Sequence, residues 1–187
     1  DAADYFLAKQ ERSLGIDEAE KIKIAVKSLG LDDLKPFNPK ERIIEYMLED
    51  AGVQPLINMT LTAFANETAS ESPAPGGGSI SAYVGSLGAA LGTMVANLSA
   101  HKRGWDDKWE FYSDWAVKGQ HYKEELLRLV DADTIAFTKI MDAFKLPNTS
   151  ADEKVARKEA IAEATRGAIN TPLQVMQSAL DSMDVMD

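Results

Sequence analysis

The chain has 187 residues, 45% hydrophobic and 27% charged, with a formal net charge of -10; this is ordinary globular usage with room for a sizeable core. So acidic a balance argues against a general nucleic-acid binder, which needs a basic face to meet phosphates. The absence of cysteine excludes a disulfide framework, a thiolate zinc site and a cysteine nucleophile, and it fits a reducing cytoplasm.

Asp1-Ala2-Ala3-Asp4 does not read as a signal peptide and leads directly into a helical pattern over 4–14, with Gly15 as its stop. Such a start is expected of a piece cut from inside a longer protein. Asp17 can cap a second helix through Ser28, ended by Gly30. Asn38-Pro39 sets a cap and a first-turn proline for a third, through Ile43, Ile44, Tyr46, Met47 and Leu48. Glu49-Asp50-Ala51-Gly52 reads as a linker and sets the expected domain boundary between residues 50 and 51.

Leu56, Met59, Leu61 and Phe64 then predict a helix ending near Thr68. The main breaker cluster of the chain follows, Pro73-Ala74-Pro75-Gly76-Gly77-Gly78, and a helix resumes at Ser79 and reaches Ala100. Residues 72–100 carry no charge. A membrane span needs about 20 mostly apolar residues, but this stretch is rich in Gly, Ser, Ala, Thr and Asn, so a tightly packed helix is expected and no membrane partner. A turn at 101–104 leads into a long helix over 106–145, loosened at Gly119 and broken by Leu146-Pro147-Asn148. Ser150 and Glu153 form a capping box for a last helix, kinked at Pro172 and running to about Met183. No stretch alternates like a strand. The expected class is all-α, an antiparallel helical bundle with short turns.

Four constellations could carry chemistry. Gly76, Gly77, Gly78 and Ser79 open a helix, where exposed N–H groups favour anions; a tight helix–helix turn explains the same residues. Ser81, Gly85, Gly88 and Gly92 recur at steps of four, three and four, which lines small residues along one face for close helix approach, within the bundle or across a dimer; a groove admitting a flat ligand is the alternative. Lys102 and Arg103 stand beside His101, Trp105 and Trp109 in an acidic chain: either a solvated turn or an anchor for a carboxylate. Neither His101 nor His121 has the partner spacing of a metal site, so no metal is expected.

The fourth is Asp133. Leu126, Val130, Phe137, Ile140 and Phe144 form an apolar stripe, and Asp133 falls on it where a hydrophobe is due. Burial would disfavour its charged form, as suits a general acid/base near neutral pH; a structural carboxylate bonded to an adjacent helix is the alternative. Asp131, two positions back, points elsewhere on the helix and is better placed for a neighbouring segment.

Thr68-Ala69-Ser70-Glu71-Ser72-Pro73-Ala74-Pro75-Gly76-Gly77-Gly78-Ser79 resembles the glycine-loop signature of formimidoyltetrahydrofolate cyclodeaminases. Val130-Asp131-Ala132-Asp133 with Phe137 and Lys145-Leu146-Pro147 resembles their second signature, and Thr171-Pro172-Leu173 also fits. Pro36-Phe37-Asn38-Pro39-Lys40-Glu41-Arg42-Ile43-Ile44-Glu45-Tyr46 resembles the end of a formimidoyltransferase domain. The resemblance runs over essentially the whole chain, in family order, and points to the formimidoyltransferase-cyclodeaminase family.

It implies a transferase tail over residues 1–50 and a C-terminally shortened, all-helical cyclodeaminase domain over 51–187, in which Leu180, Met183, Val185 and Met186 would be poorly covered. It further implies an ammonia-lyase of histidine catabolism that cyclises polyglutamylated 5-formiminotetrahydrofolate to 5,10-methenyltetrahydrofolate, working as a homodimer or higher homo-oligomer. The longer protein would also move the formimino group from formiminoglutamate to tetrahydrofolate. The family's catalytic aspartate corresponds to Asp133, and Lys102 and Arg103 would hold the substrate's glutamate tail. The rival expectation is a non-catalytic packing or dimerisation module, or an inactive shortened piece, which would have no need of an acid at Asp133.

Overall fold

A computed structural model describes residues 1–47 and 56–185. Among the described residues every regular element is helical, as the sequence predicts. The first helix, α1, spans Ala2–Lys9 and is shorter than the pattern over 4–14 suggests. Glu11 takes a φ of 53°, a left-handed conformation that an α-helix cannot continue through. The chain then closes back on itself, with the Arg12 amide donating to the Leu7 carbonyl.

The second, α2, spans Glu18–Ser28, and the Asp17 side chain accepts from the Glu20 amide as expected of a cap. Gly30 follows with a φ of 65° and ends it. The helix expected from Pro39 onward is two short ones, α3 (Pro39–Arg42) and α4 (Ile44–Met47). Ile43 between them is extended, at φ -100 and ψ 121. Leu48 and the expected linker at 49–52 lie outside the described residues.

A 3-10 turn over Leu56–Asn58 precedes α5, Leu61–Thr68, whose cap is the Thr60 hydroxyl accepting from the Ala63 amide. Next, α6 spans Gly77–Ala100 and begins two residues before the expected Ser79. Its successor α7 runs Trp109–Lys145, and α8 runs Ala151–Asp181 behind the predicted reciprocal Ser150/Glu153 capping box. The last helix continues through Pro172 into a 3-10 turn over Ser182–Val185. The expected loosening of α7 at Gly119 is absent. A β-carbon there would fall 2.2 Å from Thr93 Oγ1, so this glycine admits a neighbour and does not interrupt the helix.

The described residues fall into two units. One holds 1–47, 89–121 and Val185; the other holds 56–88 and 122–184. In the second, Leu126, Leu129 and Val130 of α7 are fully buried with Ala82 of α6 and Val175 of α8, and Leu56, Phe64 and Tyr83 pack on them. Ser79 meets Val130 and Gly85 meets Leu126, so α6 and α7 run antiparallel here. In the first unit the loop after α1 seats against α6 and α7: Ser113 Oγ of α7 accepts from the Leu14 amide at 2.9 Å, and the Gly15 carbonyl accepts from Asn97 Nδ2 of α6 at 2.8 Å.

The buried seam of α6 coincides with the expected row only in part. Ser79, Ala82, Ser86, Ala89, Thr93, Ala96 and Ala100 recur at steps of three and four and are all buried. Ser81 is exposed, and a β-carbon on Gly88 would meet nothing within 4 Å. Of the expected row, Gly92 is buried on this seam, and a β-carbon on Gly85 would lie 3.4 Å from a Leu126 methyl and 3.7 Å from the Ala179 methyl. Serine, alanine and threonine carry the seam because each is small enough for close approach, and the hydroxyls find carbonyls: Thr93 Oγ1 donates to the Ala89 carbonyl at 2.8 Å.

Gly15 and Gly88 are therefore opposites. A β-carbon at Gly15 would lie 2.3 Å from the Ala116 carbonyl carbon and 2.6 Å from the Val117 amide, against backbone that cannot swing away. Gly15→Ala is expected to cost about 1–3 kcal/mol by overpacking, seen as a drop of several degrees in melting temperature, while Gly88→Ala is neutral or stabilising by up to about 1 kcal/mol through helix propensity. Thermal unfolding followed by circular dichroism checks both.

Candidate active site

The first turn of an α-helix has amide N–H groups with no partner inside the helix. In α6 that turn is Gly77-Gly78-Ser79-Ile80, and its acceptor comes from α7. Asp133 Oδ2 accepts from the Ser79 amide at 2.9 Å and stands 3.1 Å from the Ser79 hydroxyl. The hydroxyl also reaches the Val130 carbonyl at 2.8 Å and Thr134 Oγ1 at 3.4 Å. The anion expected at the glycine loop is thus supplied by the chain itself.

The three glycines do different jobs. A β-carbon on Gly78 would sit 2.2 Å from Asp133 Oδ1 and 2.5 Å from its carboxyl carbon, so the carboxylate lies directly over a residue that must have no side chain. At Gly76 the same atom would be 3.7 Å from Oδ2, an ordinary contact, and at Gly77 it would meet nothing within 4 Å. Ser79 is fully buried, Gly76 and Gly78 are half-buried, and Gly77 is exposed.

The expected stripe on α7 is only partly a core face. Leu126 and Val130 are fully buried, but Phe137 and Phe144 are exposed and Ile140 is half-buried. Asp133 stands where the buried part of the stripe gives out, and it is itself half-buried. One of its oxygens is held by Ser79; the other, Oδ1, has no hydrogen-bond donor among the described residues. A carboxylate fixed by one oxygen and unengaged at the other can exchange protons with a bound molecule.

Asp131 points elsewhere, as the helical spacing predicts. Its Oδ1 accepts from the Leu56 amide at 2.7 Å, so it ties the 3-10 turn at Leu56–Asn58 to α7. Burial pushes its carboxyl above the usual range, and the backbone amides of Leu56 and Ile57 pull it part of the way back. Among the described residues no group of three or more His, Asp or Glu side chains could hold a metal ion.

Lys102 and Arg103 belong to the other unit and are exposed. Lys102 Nζ sits 3.9 Å from the centre of the Trp105 ring, and Lys108 Nζ sits 5.0 Å from it. Trp105 stacks on Tyr112 at 5.4 Å with 14° between the rings, and Lys118 lies 4.2 Å over Trp115. Sequence reasoning missed Lys108, Tyr112 and Lys118. Their signal was the spacing Trp105, Lys108, Tyr112 and Trp115, Lys118, three and four apart. It missed Thr134 beside Ser79 as well, for which no local signal exists, since the two are far apart in sequence.

The family model of Formiminotransferase-cyclodeaminase matches residues 60–187, and that of the Formiminotransferase domain matches residues 1–49. The formimidoyltransferase-cyclodeaminase of Gallus gallus is 40% identical over 176 residues, which cover 92% of this chain and 32% of that protein. The methenyltetrahydrofolate cyclohydrolase of Methylorubrum extorquens is 32% identical over 130 residues, covering 70% of this chain and 62% of that one. The crystal structure of formiminotetrahydrofolate cyclodeaminase from Thermotoga maritima aligns with a TM-score of 0.45 at 25% identity, over 68% of this chain and 71% of that one. The chain spans about a third of the length of the bifunctional relatives it matches. With one family model running unbroken from residue 60 to residue 187 and taking in both the glycine loop and Asp133, the chain belongs to the formiminotransferase-cyclodeaminase family.

Proposed function

We propose that this chain acts as a formimidoyltetrahydrofolate cyclodeaminase, an ammonia-lyase that converts 5-formiminotetrahydrofolate to 5,10-methenyltetrahydrofolate. The observation that carries the reading is Asp133, held over Gly78 by Ser79 with Oδ1 unengaged, in a family whose relatives bear the cyclodeaminase name. The formimino carbon and the second nitrogen that attacks it belong to one molecule. The protein's task is to hold them together, and orientation contributes much of the rate in such intramolecular attacks. Attack forms a carbon–nitrogen bond and a tetrahedral adduct. The attacking nitrogen then loses a proton, the amine gains one, and ammonia departs as its bond to carbon breaks. Asp133 carries that proton from one nitrogen to the other and ends unchanged.

Residues 1–49 match a transferase domain, and we assign to the longer protein the preceding step, transfer of the formimino group from formiminoglutamate to tetrahydrofolate. The basic cluster of Lys102 and Arg103 holds the substrate's anionic glutamyl tail by Coulomb attraction, weakened by salt. Homo-oligomerisation is supported by α6, where Val84, Leu87, Leu91, Met94 and Leu98 are exposed at steps of three and four. A second reading, hydrolysis of methenyltetrahydrofolate, is favoured by the identity to the cyclohydrolase. Water would then add to the carbon from which ammonia leaves in the first reading.

A spectroscopic assay for methenyltetrahydrofolate discriminates the two readings. Formation from 5-formiminotetrahydrofolate is expected; consumption of methenyltetrahydrofolate without formation would instead make the chain a hydrolase. Asp133→Asn is expected to stay folded and to lose activity by about 100-fold or more; full activity in that variant would remove Asp133 from the mechanism, while no activity in either protein would leave the packing-module reading. Arg103→Ala is expected to raise KM for polyglutamylated substrate by about five- to ten-fold at low salt, with a smaller rise at high salt; an unchanged KM sinks the tail anchor. Light scattering is expected to find a dimer or larger species, and a charged side chain in Leu91→Glu is expected to shift it toward monomer.

A further inference from the structure

We propose that Ser79 is a positioning residue for Asp133 and not a substrate contact: its hydroxyl turns between Asp133 Oδ2 and the Val130 carbonyl, and leaves Oδ1 as the oxygen that exchanges the proton. This rests on the cyclodeaminase reading above and assigns the glycine loop a different task from the one its sequence suggests.

Three observations carry it. Ser79 is fully buried, so a substrate cannot touch its side chain. Its hydroxyl has a single proton and two acceptors of comparable reach, the Val130 carbonyl at 2.8 Å and Asp133 Oδ2 at 3.1 Å. And Oδ1, the other carboxylate oxygen, faces the bare α-carbon of Gly78, where a β-carbon would come within 2.2 Å of it.

A proton shuttle needs both of its protonation states to be accommodated by the surrounding protein. With Asp133 ionised, the Ser79 amide and hydroxyl both donate to Oδ2. Once Oδ1 has taken the proton from the attacking nitrogen, Oδ2 needs only the amide, and the hydroxyl proton turns to the Val130 carbonyl. Neither state leaves a buried donor unpaired, and an unpaired buried donor is what makes such sites costly. Thr134 Oγ1, 3.4 Å from the hydroxyl, can donate to the Ser79 oxygen in either state. No bond forms to Ser79. The proton passes from Oδ1 to the departing amine, and the hydroxyl turns back.

The test is steady-state kinetics of methenyltetrahydrofolate formation on this chain, Ser79→Ala, Gly78→Ala and Asp133→Asn, each checked for folding by circular dichroism. The expected result is a split. In Ser79→Ala, kcat falls about ten-fold or more while KM stays within about two-fold, because the carboxylate is loosened but the substrate surface is untouched. In Gly78→Ala, where the new methyl displaces the carboxylate, kcat falls toward the Asp133→Asn level. A raised KM with unchanged kcat in Ser79→Ala would make Ser79 a substrate contact and overturn the inference while leaving Asp133 its role. Wild-type rates in Ser79→Ala would overturn it as well. If Ser79→Ala does not fold, undiminished kcat in Gly78→Ala does the same. An active Asp133→Asn would overturn this inference and the role of Asp133 while leaving the cyclodeaminase reading, and no turnover in the wild type would remove that reading and this inference with it.

Discussion

The constraint on which the rest depends is the unsatisfied N-terminus of α6. A helix that starts in a run of three glycines has no side chain of its own to cap its first amides, and the loop before it is too rich in proline and glycine to fold back as a cap. The acceptor comes instead from Asp133, on α7. A contact of this capping kind is worth about 1 kcal/mol, modest in energy but strict in geometry. It demands a bare α-carbon at Gly78, a buried hydroxyl at Ser79 and a carboxylate at one position of α7. The same contact that finishes the helix holds in place the carboxylate to which we assign the proton transfer.

The Val130-Asp131-Ala132-Asp133 signature on α7 reads as a double clasp. Asp131 and Asp133 are two positions apart, and residues at that spacing point to different sides of a helix. One accepts from the Leu56 amide and pins the segment that enters the unit; the other accepts from Ser79 and pins the helix that follows the glycine loop. Their environments differ in kind. Asp131 is desolvated and its carboxyl is pushed upward, with backbone amides as its partners; it serves the fold. Asp133 keeps one oxygen unengaged at the margin of the core, which is the arrangement a proton carrier needs.

Charge and packing are distributed with the same economy. Residues 72–100 are uncharged, and α6 buries a seam of serine, alanine and threonine, so its backbone can approach its neighbours closely. The cations Lys102, Lys108 and Lys118 lie over indole rings just beyond that helix, where an acidic chain concentrates positive charge on an aromatic platform.

The sequence by itself determined the helical class and most helix ends, and it singled out Asp133 as a carboxylate on an apolar stripe. Local rules suffice for these: Asp17, Asn38 and Ser150 each cap the helix they precede, because the cap and its amide lie within three residues. The motif resemblance added the family, and spacing separated Asp131 from Asp133. Other features were decided only by tertiary structure. The small-residue seam runs through Ala82, Ser86 and Ala89 and not through Ser81 and Gly88, since serine and alanine give no signal that tells a buried face from an exposed one. The helix expected over residues 39–48 breaks at Ile43, and Gly119 stays helical because Thr93 needs its space. Above all, the meeting of Ser79 with Asp133 joins residues that the sequence keeps far apart. Nothing local to either residue specifies that meeting; the antiparallel register of α6 and α7 does, and that register follows from packing Ala82 and Gly85 against the face that carries Leu126 and Val130.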